Sequence, residues 1–259
     1  MNTRRFALLC FSALSPAVTM SIASAADMPI KTPIYKAQPS YYAPSWTGFY
    51  VGVNAGYGFG SSDVALGPVT PSFNAVFDAG GVPRSISVNS KGFIGGAQAG
   101  YNYQFGTSWL AGVEADFQYS SIKGDKTVNL PWPSTTTIEH KMDWFGTARA
   151  RVGYLWTNAL LLYGTGGLAF GHVKNSASIA FPGPQLYSGT SEKTQTGWTA
   201  GAGAEWAMTR NWTVKAEYLY YDLGKDRVLL TPVVGPAGTA SADVEAKGHI
   251  GRVGLNYRF

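Results

Sequence analysis

The titratable residues of this chain follow a spacing rule. Glu114 and Asp116 stand two residues apart, as do Arg149 and Arg151, and Lys215 and Glu217; Glu205, Arg252 and Arg258 have similar surroundings. In an extended chain a spacing of two puts side chains on one face. Their immediate neighbours include Val113, Ala115, Ala148, Ala150, Ala204, Trp206, Ala216 and Val253. Four carboxylates and five cations therefore share the polar sides of segments whose other sides are apolar. Charges removed from water must pair. The chemistry predicted for this set is mutual neutralisation through a salt-bridge network.

Catalysis would need an acid, base or nucleophile set aligned at an accessible rim. Serines are common between the alternating segments, so a Ser near a His carries no information. The reading is non-enzymatic, with no catalytic residue and no cofactor. His140, His172 and His249 are the three histidines and the weak candidates for a metal or haem rim. By strand order they fall near one end of the fold. His249 lies in the apolar phase, and the competing description is three solvated histidines without shared geometry. "GTGGLA" (164–169) fits a loose dinucleotide fingerprint, but no amphipathic helix follows and no acid lies about 20 residues on. Its glycines read better as strand positions that relieve interior crowding.

The elements that must hold these residues are legible in a repeat. "GFYVGVNAGY" (48–57) returns as "GFIGGAQAGY" (92–101), apolar at every second position. Such alternation is the strand signal. It recurs over 49–59, 93–105, 109–119, 142–154, 198–206, 212–220 and 253–259, and 159–170 is a further strand whose phase stays open. Residues 106–108, 157–158 and 207–211 read as short turns. Residues 61–91, 121–140, 172–196 and 224–248 read as long connections rich in Gly, Pro, Ser and Thr. The expected fold class is all-β: an eight-stranded antiparallel transmembrane β-barrel with short periplasmic turns and four long extracellular loops. Trp109, Trp156, Trp206, Trp212 and Tyr220 fall where interfacial girdles belong. A soluble exported sandwich would also alternate, but with Leu, Ile and Val dominating its core face rather than Ala, Gly and aromatics. An eight-stranded lumen is just wide enough to fill with side chains, and a diffusion pore needs about 16 strands. A narrow conducting path along paired charges is the alternative.

Composition agrees. Charged residues are 14% and aromatics 14% of the chain, where about 25% charged is ordinary for a soluble domain. Arg4 and Arg5, an apolar core from Phe6 to Val18 and the small residues of "SIASAAD" read as a signal peptide over 1–26, cut after Ala25 or Ala26. Residues 27–45 read as a Pro/Tyr-rich periplasmic leader and 46–259 as the barrel. Cys10 lies in the signal, so the exported chain has no disulfide. Losing Arg4 and Arg5 leaves 18 basic against 15 acidic residues, which does not indicate nucleic acid.

"WTGFYVGVNAGYGFG" after the Pro/Tyr-rich leader, and the ending "GRVGLNYRF", resemble the porin-family small outer-membrane immunogenic proteins of Gram-negative bacteria, whose barrels are similar to the OmpA transmembrane domain. The resemblance spans the exported chain. It implies an outer-membrane protein surrounded by lipid and lipopolysaccharide, with a structural and surface-exposed role. It also implies that Leu255, Tyr257 and Phe259 serve as a signal for the barrel-assembly machinery, a role compatible with facing lipid. Some relatives in the family are described as haemin-binding. The extracellular partner stays unknown.

Overall fold

Alternating side chains leave one solution inside a membrane: strands that close on themselves, so that no backbone group faces lipid unpaired. The computed structural model describes residues 45–130 and 134–259; the signal peptide read over 1–26 and the leader up to residue 44 lie outside them. The described chain forms β1 (Gly48–Pro68), α1 (Pro71–Asp78), β2 (Ser85–Phe105), β3 (Trp109–Asn129), β4 (Thr135–Thr157), β5 (Leu160–Ala180), β6 (Leu186–Ala207), β7 (Trp212–Val234) and β8 (Ala240–Arg258). Each strand pairs antiparallel with the next, and β1 also pairs with β8, closing the barrel.

The strands run further than the alternation signalled. They hold 19 to 23 residues, although about 9–11 cross a bilayer. At ~3.3 Å per residue and a tilt of ~40° they rise roughly 50 Å, about twice the ~25 Å apolar band of such barrels. Most of each long connection is strand. Among the described residues the connections left at that end are 69–84, which carry α1, 181–185 and 235–239.

The extra length has a chemical signature, clearest in β1 and β8. In β1, odd residues face outward throughout and even residues inward. Over 49–59 the outward set is Phe, Val, Val, Ala, Tyr and Phe; over 61–65 it is Ser, Asp and Ala. The inward set changes the other way, from Tyr50, Gly52 and Asn54 to Val64 and Leu66. In β8, Val253, Leu255 and Tyr257 face outward below Asp243, Glu245 and Lys247, while inward Arg252 and Asn256 lie below Ala242, Val244 and Ile250. The faces keep their direction and exchange their chemistry. The short-turn half is apolar outside and charged inside, as lipid requires; the far half is polar outside and mainly apolar inside, with His140, Asn175 and Asp226 buried among the apolar residues. Outward acids and bases pair in that far half: Lys247 and Lys225 hold the Glu245 carboxyl down to about 2.

Three buried apolar clusters follow. Trp46, Leu110, Leu155, Leu161 and Tyr163 close the short-turn end. Ile94, Phe145, Val173, Leu219 and Ile250 belong to a middle layer. A far layer includes Val64, Ile138, Ile179, Val228 and Leu230. Helix α1 starts on Pro71, and its Phe73 and Phe77 insert into that far layer like a stopper. Leu161, Tyr163 and Ala169 face inward, which fixes the phase of β5.

The repeated glycines meet a space limit. A Cβ on Gly56 would stand 2.5 Å from the Gly251 carbonyl oxygen and 2.6 Å from Arg252 Cβ. Backbone cannot yield there. Gly56→Val is expected to prevent closure, and its refolded product should show no heat-modifiable gel mobility, whereas Ala55→Val, on the outward face, should fold.

Candidate functional site

The charged lumen is built by strand register. Glu114 lies opposite Arg149, Glu205 opposite Lys215, and Glu217 opposite Arg252. Long side chains then reach across the barrel. Arg149 donates through Nη2 to Glu114 at 2.5 Å and Asp116 at 3.1 Å, and through Nη1 to Glu217 at 3.0 Å. Lys215 Nζ reaches both Glu114 oxygens at 2.7 and 2.8 Å. Arg252 holds Glu217 at 2.7 Å and Asp116 at 2.9 Å. Arg151 binds Glu205 at 2.9 Å and lies between the Tyr50 and Tyr163 rings, 5.1 and 4.9 Å from their centroids. All eight side chains are almost fully buried. Four negative charges meet four positive ones in one connected set.

Arg258 corrects the expectation of nine members. It faces inward, but it stacks on Trp46 at 4.5 Å and donates to the carbonyls of Ser45 and Arg210 at 3.1 and 2.9 Å. As the last strand residue it lies beyond the level of the carboxylates and helps seal the short-turn end. Spacing along one strand gives the face but not the level, which depends on the stagger between strands.

Neutral partners went unseen in the sequence. Tyr50 donates to Glu114 at 2.7 Å, Tyr163 to Glu217 at 3.1 Å, Thr147 to Asp116 at 2.7 Å, and Thr213 and Asn256 to Glu205 at 2.5 and 3.0 Å. A signal existed for Tyr50: it is the one bulky residue among the Gly and Asn of its face. None existed for Tyr163, because glycines obscure the phase of β5.

The structure does not bring the histidines together. His140 faces inward in the far half, 2.7 Å from Asn175, which donates to Asp226 at 2.9 Å. His172 faces outward, stacked on Trp144 and 3.2 Å from Glu192. His249 faces outward against Phe59 and Tyr218, 2.7 Å from the Tyr218 hydroxyl. Among the described residues no group of three or more His, Cys, Asp or Glu is arranged to hold a metal. Leu255, Tyr257 and Phe259 line the outer face at the end of the chain, with Tyr257 edge-on to Trp212 and Phe259 at 5.1 and 5.3 Å.

Comparison with known proteins agrees with this geometry. The family model for the outer membrane protein beta-barrel domain matches residues 12–259. The chain is similar to the 31 kDa outer-membrane immunogenic protein of Brucella melitensis, 40% identical over 237 residues, covering 92% of this chain and 93% of that protein. It is also similar to the 25 kDa outer-membrane immunogenic protein of Brucella abortus, 29% identical over the full length of both. Among solved structures, the outer membrane protein OprG of Pseudomonas aeruginosa is 12% identical with a TM-score of 0.54, covering 84% of this chain and 98% of that one, which shows a shared fold. A closed ring of eight strands, apolar toward lipid over half its height and matched along nearly all its length, makes this chain a member of the outer membrane protein beta-barrel domain family and a protein of the bacterial outer membrane.

Proposed function

We propose that the protein is a closed, non-catalytic barrel with a structural and surface-exposed role in the envelope. Its water-adapted half projects outward and its short turns face the periplasm. One observation carries this reading: the lumen is filled at successive levels by the Trp46 cluster, the eight-charge network, two apolar layers and the helix above them. Paired charges and packed apolar side chains at these levels argue against a continuous wet path. The projecting half presents exposed polar strands and the α1 turn for surface contacts. The outward Leu255, Tyr257 and Phe259 serve insertion by the assembly machinery, and lipopolysaccharide surrounds the outer rim.

The test is planar-bilayer conductance of refolded protein whose closure is verified by heat-modifiable mobility. Silence is expected. Steady channels that change when Arg149 or Glu217 is neutralised would instead establish a narrow solute path.

A further inference from the structure

Four lysines form a row around one side of the barrel. Lys91 on β2 lies opposite Lys123 on β3, Lys123 opposite Lys141 on β4, and Lys141 opposite Lys174 on β5. All four are exposed and point outward. With strands ~4.8 Å apart, the row spans about 15 Å. Like charges directly opposite one another destabilise a sheet, so a row of four calls for counter-charge.

The protein supplies only part of it. Asp143 holds Lys141 at 2.6 Å, and Glu192 holds Lys174 at 3.2 Å. Among the described residues no carboxylate forms an ion pair with Lys91 or Lys123. Asp125 and Glu139 face each other one step further from the membrane, where they bound the row on its outer side. The opposite wall differs. There Lys225, Arg227 and Lys247 each meet an acid, at 2.9 Å to Glu245, 2.7 Å to Asp243 and 2.5 Å to Glu245. One wall neutralises itself and the other does not.

The height of the row says what would complete it. Just membrane-ward of the lysines stand Phe93, Tyr119, Trp144 and His172, the aromatic edge of the apolar band. The ammonium groups therefore sit at the headgroup level of one leaflet. Deeper on the same wall, Ala99, Ala115 and Ala148, together with Phe49, Tyr101 and Val113, line a shallow lipid-facing groove of about 580 Å³. A ligand that fits both features carries several phosphates at its head and has flexible apolar chains.

We propose that the outward wall of β2–β5 is a binding site for the phosphorylated glycolipid of the outer leaflet, lipopolysaccharide. Its lipid A phosphates contact Lys91 and Lys123 and share Lys141 and Lys174, and one acyl chain enters the alanine groove. This rests on the reading that the projecting half faces outside, which puts the row in the outer leaflet.

The experiment compares refolded protein in phosphatidylcholine nanodiscs titrated with lipid A. The variant is K91Q/K123Q/K141Q/K174Q, and the control is K225Q/R227Q/K247Q on the opposite wall. Heat-modifiable mobility verifies that each barrel is closed. Wild type and control should bind lipid A alike, and the row variant at least about tenfold more weakly. Lipid A stripped of its phosphates should bind wild type as weakly as intact lipid A binds the row variant, an arm that needs no mutation. Equal binding by row variant and wild type, or equal binding of phosphorylated and dephosphorylated lipid A, would overturn the proposal. So would full competition by millimolar inorganic phosphate or by phosphatidylglycerol, which would mean a general anion surface. Orientation is read separately: Ser178→Cys should react with a membrane-impermeant maleimide on intact cells. No labelling would refute the outward reading and with it the outer-leaflet assignment, even where lipid A binds in nanodiscs.

Discussion

Glu114→Gln is expected to lower the stability of the folded barrel by about 3–5 kcal/mol, the typical cost of removing one partner from a buried ion set. Glu114 is the hub of the lumen. It accepts from Arg149 at 2.5 Å, from Lys215 at 2.7 and 2.8 Å and from Tyr50 at 2.7 Å, with Arg151 at 3.6 Å and Arg252 at 3.5 Å. Its amide replacement keeps the shape and leaves four cations facing three carboxylates inside a sealed wall. The loss comes less from the bonds themselves than from the uncompensated positive charge. Removing a cation together with the carboxylate should therefore recover much of it: Glu114→Gln with Lys215→Met is expected to be clearly more stable than Glu114→Gln alone. Urea unfolding in lipid vesicles, followed by gel mobility, measures both. A single variant as stable as wild type would mean that water screens the lumen charges, and would argue for a conducting path.

The membrane half of this fold is legible because lipid imposes one rule on it. Phe49 to Phe59 and Val253 to Phe259 alternate without exception, and the charges fall on the opposite phase. The far half hides because the rule inverts while the geometry continues. After Phe59 the apolar residues move to even positions, Val64 and Leu66, and before Phe93 they are Ile86 and Val88. A reader following odd positions sees the pattern end and infers a loop, yet β1 and β2 remain paired as far as Ala65 with Ser85. Register shifts near Tyr119 to Ile122 and Met142 to Trp144 add to the concealment, since each breaks the count where the chemistry changes. Helix α1 escaped because eight residues give barely two turns, although Pro71 and the Phe73 to Phe77 spacing mark it. In the lumen, the faces of the charged residues could be read and their partners could not. Contacts such as Lys215 with Glu114 cross the barrel, and nothing within one strand encodes them.

The inversion leads to the second large effect. Ile138 is fully buried on β4 in the far apolar layer, across from Ala177 on β5. Ile138→Asp would place a carboxylate in the layer that holds Val64, Ile179 and Val228; its cross-strand neighbour on β3 is Lys126, whose side chain is exposed to water. An isolated charge in such a layer costs several kcal/mol. The damage should stop short of the membrane half, which has its own aromatic belts and its own charge network. The expected result is a protein that still inserts and still shifts on heating, but whose projecting half is cut by protease on intact cells under conditions where wild type resists. Ser178→Asp, one strand away on the outward face, should behave like wild type. Protection of the Ile138→Asp variant would mean that the far half is a water-filled vestibule able to solvate the carboxylate. That outcome would remove the dry core beneath α1 and reopen the barrel to solute entry from outside. Cleavage would instead place the seal above the membrane in packed side chains, independent of the salt bridges below, so that the barrel is closed twice by two different kinds of interaction.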